Sequence, residues 1–193
     1  FFDAIVIGEG EEILPQLMRT LAERIGKGPD WRERYLKEIS GYEGVYVPAL
    51  YEPRYADDYS LVGTIPINGG APSEVRRIHV DINEYLHPMM PVVASTETVF
   101  DRAAIEIHRG CVRGCRFCQA GYIDRPVRTR KPENVKEMAE TIIESTGHRD
   151  LTMLSLSAAD YRDIHTLIQD IREQQSDERL GINIPSTRVD AFN

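Results

Sequence analysis

Long apolar runs are missing from this sequence, which has no stretch near the roughly 18 residues needed to cross a bilayer. The basic segment that opens a secretory signal peptide is also missing, since the sequence starts Phe-Phe-Asp-Ala-Ile-Val. Both absences favour a cytoplasmic protein without membrane association. The 193 residues are 41% hydrophobic and 28% charged, which is typical of a folded chain with one or two domains.

Positive charge is scarce in the chain as a whole. The formal net charge of -8 argues against broad nucleic-acid binding, which depends on neutralising phosphates with Lys and Arg. The exception is residues 102–131, where only Glu106 and Asp124 oppose a set of basic residues: Arg102, Arg109, Arg113, Arg116, Arg125, Arg128, Arg130 and Lys131. A charged loop facing water is one interpretation, but we expect an anion-lined site because the cysteines lie inside this segment.

Cysteine is rarer still, with three residues that form the array Cys111-x3-Cys115-x2-Cys118. An odd number of closely spaced cysteines favours metal binding in a reducing compartment over a disulfide framework. Soft thiolates select an iron–sulfur cluster or zinc. Because the sequence has no fourth cysteine, one coordination position of the metal centre would lack a cysteine ligand. An open coordination position is typical of reactive metal sites. The alternatives are a structural zinc completed by His108 or His148, and a disulfide beside a free thiol.

Alternating strand and helix patterns begin at about residue 103. Strands are predicted at 103–108, 151–157 and 181–185, with helices at 132–146 and 161–175. Such βα repeats predict a parallel sheet covered by helices. Before them, a strand at 3–8 and a helix of about 15 residues form a Rossmann-like unit, followed by a β-rich connector with strands at 44–48 and 75–80. The predicted segments are therefore 1–29, 30–100 and 101–193.

The cysteine array resembles the signature of radical SAM proteins, in which an aromatic residue, here Phe117, precedes the last cysteine. The flanking Glu106-Ile-His-Arg-Gly-Cys111 and Cys118-Gln-Ala-Gly121 are similar to the subgroup with an N-terminal cobalamin-binding-type domain. This resemblance implies an α/β fold in which residues 101–193 form the first half of a partial TIM-like barrel. It also implies a [4Fe–4S] cluster whose open iron binds S-adenosylmethionine and cleaves it reductively to a 5′-deoxyadenosyl radical. Methyl or methylthio transfer is the other reaction type that the resemblance implies.

The resemblance also implies which residues contact S-adenosylmethionine. Phe117, Ser157 and Arg188 are the expected cofactor-binding residues, and no catalytic residue is assigned. The segment from Ser155 departs from the Gly-Gly-Glu pattern of many relatives, and Asp160 is expected to cap a helix that starts at residue 161. Arg188 would pair with the methionine carboxylate. An ion pair between Arg188 and Asp190 is the alternative.

Residues 1–29 resemble the last strand, turn and helix of a cobalamin domain, but the loop Asp-x-His-x-x-Gly is absent. Cobalamin is therefore expected only in a full-length protein. We also expect that the chain begins in mid-protein and stops before the barrel is complete, which would leave it inactive alone. The expected partners are small-molecule cofactors and an electron donor such as flavodoxin or ferredoxin, while the substrate is not identified. The competing function is a non-catalytic binding or electron-transfer module stapled by zinc or an iron–sulfur cluster.

Overall fold

The computed structural model describes residues 2–67, 69–85, 88–96, 98–175 and 179–188. The chain divides into two compact units, Phe1–Val80 and Asp81–Asn193. Within the described ranges, no helix is long and apolar enough to cross a membrane. The predicted divisions after residues 29 and 100 stay predictions.

The first unit packs two helices against short strands. Its first elements are β1 (Ile5–Val6), α1 (Gly10–Arg24), α2 (Trp31–Ile39) and β2 (Val45–Tyr46). Strand β1 pairs antiparallel with β2, and α1 has the predicted length of 15 residues. The core of this unit consists of apolar side chains from both helices, from β2 and from the residue after β2: Ile13, Leu17, Ile39, Val45 and Val47.

The connector predicted to be β-rich contains a helix and a hairpin. Helix α2 was not predicted, although Tyr35, Leu36 and Ile39 contribute to the core at helical spacing. Strands β3 (Tyr51–Tyr55) and β4 (Leu61–Pro66) pair antiparallel. The strand predicted at 75–80 is reduced to a single parallel bridge between Ile78 and Gly8.

The second unit contains a three-stranded parallel sheet, which confirms the predicted parallel pairing. Strands β5 (Ala103–Glu106), β8 (Asp150–Leu154) and β9 (Gly181–Asn183) lie in the order β5-β8-β9. Between β5 and β8 the chain forms β6 (His108–Arg109), α3 (Ala120–Ile123), β7 (Arg128–Thr129) and α4 (Pro132–Thr146), and α5 (Ile164–Gln175) follows β8. A mixed α/β unit of this kind is consistent with part of a radical SAM fold.

Helices α4 and α5 pack their apolar faces on the core of this sheet. The fully buried side chains include Ile105, Met138, Ile142, Leu151 and Met153. Each such side chain contributes about 1.5–3 kcal/mol through removal of its apolar surface from water. This burial fixes the ends of β5 and β8, from which the candidate site is built.

The two helices differ in how well local sequence signals predict them. Helix α4 has the predicted bounds, with Pro132 in its first turn and Gly147 in a left-handed conformation at its end. The helix predicted at 161–175 instead starts at Ile164. A 3-10 turn, Ala158–Asp160, occupies the segment before it. The hydroxyl of Tyr161, which follows this turn, donates to the Arg130 carbonyl oxygen at 2.8 Å.

Candidate metal and cofactor site

The three cysteines lie on one loop, residues 110–127, which we call the cysteine loop. It follows β5 and β6 and is closed at its base by antiparallel pairing of β6 with β7, with His108 opposite Thr129. The loop therefore projects from the carboxyl end of β5. In parallel sheets, ligand sites form at this edge.

Internal contacts hold the cysteine loop in shape. The Cys111 amide donates to the Asp124 carbonyl oxygen at 3.1 Å, and the Tyr122 hydroxyl donates to the Gly114 carbonyl oxygen at 2.9 Å. Gly110 has a φ of +89°, and a Cβ there would lie 2.7 Å from the Pro126 carbonyl oxygen. Only glycine fits this close approach of two backbone segments.

Cys111, Cys115 and Cys118 are free, half-buried thiols. The Arg113 amide lies 3.5 Å from Cys111 Sγ, and the Cys118 amide donates to the Cys115 carbonyl oxygen at 2.9 Å. Within the described part of the chain, no group of three His, Cys, Asp or Glu side chains is arranged to hold a metal ion. The donor set nevertheless fits an iron–sulfur cluster, because three soft thiols on a single loop have no disulfide partners.

Asp160 fastens the cysteine loop to the segments that follow β8 and β9. Arg113 Nε lies 2.9 Å from Asp160 Oδ2, and Arg188 Nη1 lies 3.0 Å from both carboxylate oxygens. The hydrogen bond from Arg113 holds the pKa of Asp160 far below its usual range, and the bond from Arg188 acts in the same direction against the effect of burial. The expected helix-capping role of Asp160 is therefore wrong.

The other expected cofactor residues lie in different environments. Arg188 pairs with Asp160, whereas Asp190, its alternative partner, lies outside the described residues. Ser157 is buried at the start of the 3-10 turn that contains Asp160. Phe117 is 93% exposed on the cysteine loop. The structure thus brings Ser157 and Arg188 to Asp160, and leaves the Phe117 ring at the surface.

Three arginines of the basic segment 102–131 bind groups of the protein itself, and the anion-lined site expected there stays a prediction. Arg109 makes a two-point pair with Glu106, at 2.9 and 2.8 Å. Arg130 is buried, and its guanidinium donates to the carbonyl oxygens of Glu106 and Tyr85 at 2.9 Å each. Arg125 donates to the Gly121 carbonyl oxygen at 2.7 Å. Several of these arginines therefore stabilise the protein's own loops. The clustering of basic residues in the sequence did not indicate this role.

A cavity of about 540 Å³ lies at the carboxyl ends of the parallel strands. Its lining includes Glu106, His108, Leu154, Ser155, Pro185 and Ser186. His108 is 3% exposed, and its ring is parallel to that of Tyr161, with the centroids 6.5 Å apart. From the sequence, His108 was interpreted only as a strand residue or a zinc ligand. Its position at the end of a predicted strand was the one signal that it could line a cavity.

The charge state of His108 follows from its surroundings. Burial lowers its pKa, and the negative charges of Asp160 and Glu106 oppose this effect only in part. The imidazole is therefore neutral at pH 7. A neutral imidazole has one donor and one acceptor nitrogen, so it can bind either kind of polar group.

Comparisons with known proteins give matches to two separate parts of the chain. Residues 1–48 match the family model "Radical SAM proteins, N-terminal". An uncharacterized protein of Methanocaldococcus jannaschii, MJ0966, is 33% identical over 89 residues, a match that covers 46% of this chain and 19% of that protein. The matched part of this chain therefore covers less than a quarter of the length of that relative. Residues 105–192, which include the cysteine loop and the three parallel strands, match the model of the radical SAM superfamily.

Proposed function

We propose that this chain is part of a radical SAM enzyme in which Cys111, Cys115 and Cys118 ligate a [4Fe–4S] cluster. The observation that carries the proposal is the position of the cysteine loop, which leaves the carboxyl end of β5 and is fastened through Arg113 to Asp160 beyond β8. Three thiols therefore belong to the same sheet edge as the cavity of about 540 Å³. Ligand sites of parallel sheets form at this edge.

The cluster, when bound and reduced, supplies the electron that cleaves the sulfonium of S-adenosylmethionine. The task of the protein is to bind and orient the cofactor and to exclude water. Ser157 and Phe117 are proposed to contact S-adenosylmethionine, as the resemblance implies. The whole protein's reaction is proposed to be hydrogen abstraction, methyl transfer or methylthio transfer.

The charges around Asp160 support a role for Arg188 in binding the methionine carboxylate. Asp160 carries one negative charge and pairs with two guanidinium groups, those of Arg113 and Arg188. An incoming carboxylate would be stabilised there by a charge-assisted hydrogen bond.

Two further elements of the proposal concern the whole protein. An electron donor such as flavodoxin or ferredoxin would reduce the cluster in a cytoplasmic setting. Cobalamin is proposed only outside this chain, because the cobalamin loop motif is absent from the sequence. The subgroup with a cobalamin-binding-type domain and the partial TIM-like barrel remain part of this proposal.

Electron paramagnetic resonance of the anaerobically reconstituted, dithionite-reduced chain tests the function directly. We expect the spectrum of the cluster to change when S-adenosylmethionine is added, because the cofactor binds the open iron. S-adenosylmethionine added to a Cys115→Ala chain provides the control. A reduced cluster with an unchanged spectrum would instead identify an electron-transfer module, and colourless protein with stoichiometric zinc would identify a metal-stapled binding module.

A further inference from the structure

The β3–β4 hairpin of the first unit exposes side chains on both of its faces. Of its strand residues only Tyr51 is buried, and four large apolar side chains are between 46% and 65% exposed: Tyr55, Leu61, Val62 and Ile65. Within the described part of the chain, the two strands form a sheet of their own without a third strand. A two-stranded hairpin by itself is at best marginally stable in water. The hairpin is therefore suited to association with a further strand.

Hydrogen bonds order the hairpin at its base and at its turn. At the base, the Tyr51 hydroxyl donates to the Pro72 carbonyl oxygen at 2.7 Å. At the turn, the Ala56 amide donates to the Ser60 carbonyl oxygen at 2.9 Å. An incoming strand therefore meets a preformed edge, which reduces the entropy cost of binding.

The two edges of the hairpin differ in their protection against another strand. Strand β3 contains Pro53, which has no backbone donor, between the charged Glu52 and Arg54. Proline and charge are the usual features that prevent edge strands from pairing with other chains. Strand β4, Leu-Val-Gly-Thr-Ile-Pro, has no charged residue, and its one proline ends the strand. The free edge of β4 is therefore the edge that can accept an added strand.

The composition of β4 selects an uncharged strand as its partner. A charged side chain opposite β4 would lose hydration without gaining an opposite charge. Another copy of β4 meets this requirement, and antiparallel pairing of two identical strands is symmetric, so the assembly closes as a dimer. Copies of a chain with a net charge of -8 repel one another, and a neutral strand allows contact at a low electrostatic cost.

We propose that β4 is a self-association edge, through which two copies of this chain pair antiparallel into a four-stranded sheet of order β3-β4-β4-β3. Main-chain hydrogen bonds hold the two β4 strands together, and their apolar side chains lie side by side across the new pair. The contact involves one short strand from each copy, so we expect a weak dimer with a Kd between about 10 µM and 1 mM. The inference does not depend on the cysteine loop or on a bound cluster.

Sedimentation velocity of the full chain tests the association, with the thiols kept reduced under anaerobic conditions so that disulfides cannot form. We expect a monomer–dimer equilibrium over the range from about 10 µM to 1 mM. Amide hydrogen exchange identifies the surface. Exchange at residues 61–65 should slow as the protein concentration rises, whereas exchange in α1 should stay unchanged.

Charges placed on β4 test the symmetry of the pairing. In an antiparallel pair of identical strands, a central residue lies close to its own copy, so Val62→Lys and Val62→Glu should each raise the Kd at least about tenfold. An equimolar mixture of the two variants should recover the dimer, because the charges are then opposite. Met18→Lys on α1 is the matched control, since Met18 is 62% exposed and Val62 is 65% exposed. It should leave the Kd unchanged.

The outcomes decide for or against this edge. Recovery of the dimer in the mixture supports the proposal and also shows that both variants fold. Monomeric protein up to about 1 mM overturns it, and the hairpin edge would then suit a strand of a different protein. A dimer that Val62→Lys leaves unchanged, or whose β4 amides exchange at the same rate at all concentrations, overturns it as well, because the copies would associate through another surface. Variants that stay monomeric when mixed contradict the antiparallel self-pairing.

Discussion

Arg113 and Asp160 form a two-point ion pair, with Arg113 Nε 2.9 Å from Asp160 Oδ2 and Nη2 2.5 Å from Oδ1. Arg113 lies between the first two cysteines, and Asp160 follows β8 at a separation of 47 residues. The pair therefore joins the cysteine loop to the sheet edge. Paired Arg–carboxylate geometry adds both energy and orientation, although partial exposure reduces its contribution to about 1 kcal/mol.

Asp160→Asn is expected to loosen the cysteine loop. The substitution removes the charge that binds both Arg113 and Arg188, so amide hydrogen exchange over residues 111–118 should become faster. Stability should fall by about 1 kcal/mol. Asp170→Asn is the matched control. Asp170 lies on helix α5, and its Oδ2 pairs with Lys136 Nζ at 3.1 Å, away from the cysteine loop. Equal exchange in the loop of both variants would contradict the role assigned to Asp160.

The same pair has a defined pH dependence. Because the hydrogen bond from Arg113 lowers the folded-state pKa of Asp160, its contribution is present above the unfolded pKa of about 3.9. It is lost only as the pH falls from that value through the folded-state pKa. The difference in unfolding free energy between the unmodified chain and Asp160→Asn should thus be constant from pH 7 to 5 and shrink below about pH 4. A difference that vanishes near pH 6 would exclude this carboxylate as its source.

Each cysteine is expected to be indispensable for the cluster. Cys111→Ala, Cys115→Ala and Cys118→Ala should each lose the [4Fe–4S] cluster after anaerobic reconstitution, because the sequence contains no other cysteine. Iron and sulfide analysis provides the measurement. Val112→Ala, an exposed change in the same loop, is the control and should keep about four irons per chain. A cysteine variant with the same iron content would show that its thiol is not a ligand.

Local sequence signals were sufficient to predict the three parallel strands and the two long helices of the second unit, but not β6, α3 and β7 or the start of α5. Pro132 and Gly147 mark the ends of α4, and the alternation of apolar strands and helices predicts the parallel order of β5, β8 and β9. In the first unit, Pro and Gly punctuation obscured α2, although Tyr35 and Ile39 already had helical spacing.

The site was predictable only where it rests on residues that are close in sequence. The cysteine array is such a motif. The partners of Arg113 and Arg130 lie tens of residues away, since Asp160 is 47 positions from Arg113 and Tyr85 is 45 positions from Arg130. The sequence of residues 102–131 therefore indicates an excess of positive charge, but it does not indicate the distant carboxylate and carbonyl groups that bind these arginines. His108 was missed for the same reason, because its burial depends on tertiary packing.

His108 is expected to make the apo protein less stable in mild acid. Burial lowers its pKa in the folded state, against the opposing charges of Asp160 and Glu106, so the unfolded chain binds more protons below about pH 6.5. Stability should fall as the pH drops from 7 to 5, by at most about 1.4 kcal/mol per pH unit for this one group. Denaturant unfolding of the unmodified chain and His108→Leu at several pH values measures this contribution.

The control for the acid effect is His165→Leu, which removes an exposed histidine on α5. His108→Leu should have a shallower dependence of stability on pH than the unmodified chain. Parallel curves for the unmodified chain and His108→Leu would mean that the buried imidazole does not titrate in this range.

Gly110 and Gly147 allow a matched test of the close approach at the base of the cysteine loop. Both have a positive φ, +89° at Gly110 and +71° at Gly147, so alanine at either position costs about 1 kcal/mol of backbone strain. At Gly147 a Cβ would meet no atom within 4 Å, whereas at Gly110 it would meet the carbonyl oxygens of Asp124 and Pro126. These are backbone atoms, and the Asp124 oxygen also accepts the hydrogen bond from the Cys111 amide.

Gly110→Ala should therefore destabilise the chain by at least about 2 kcal/mol more than Gly147→Ala in urea unfolding, and only Gly110→Ala should also reduce iron incorporation. Equal losses of stability, with full iron content in both variants, would refute the packing of Gly110 against residues 124–126 and the support that it gives to Cys111.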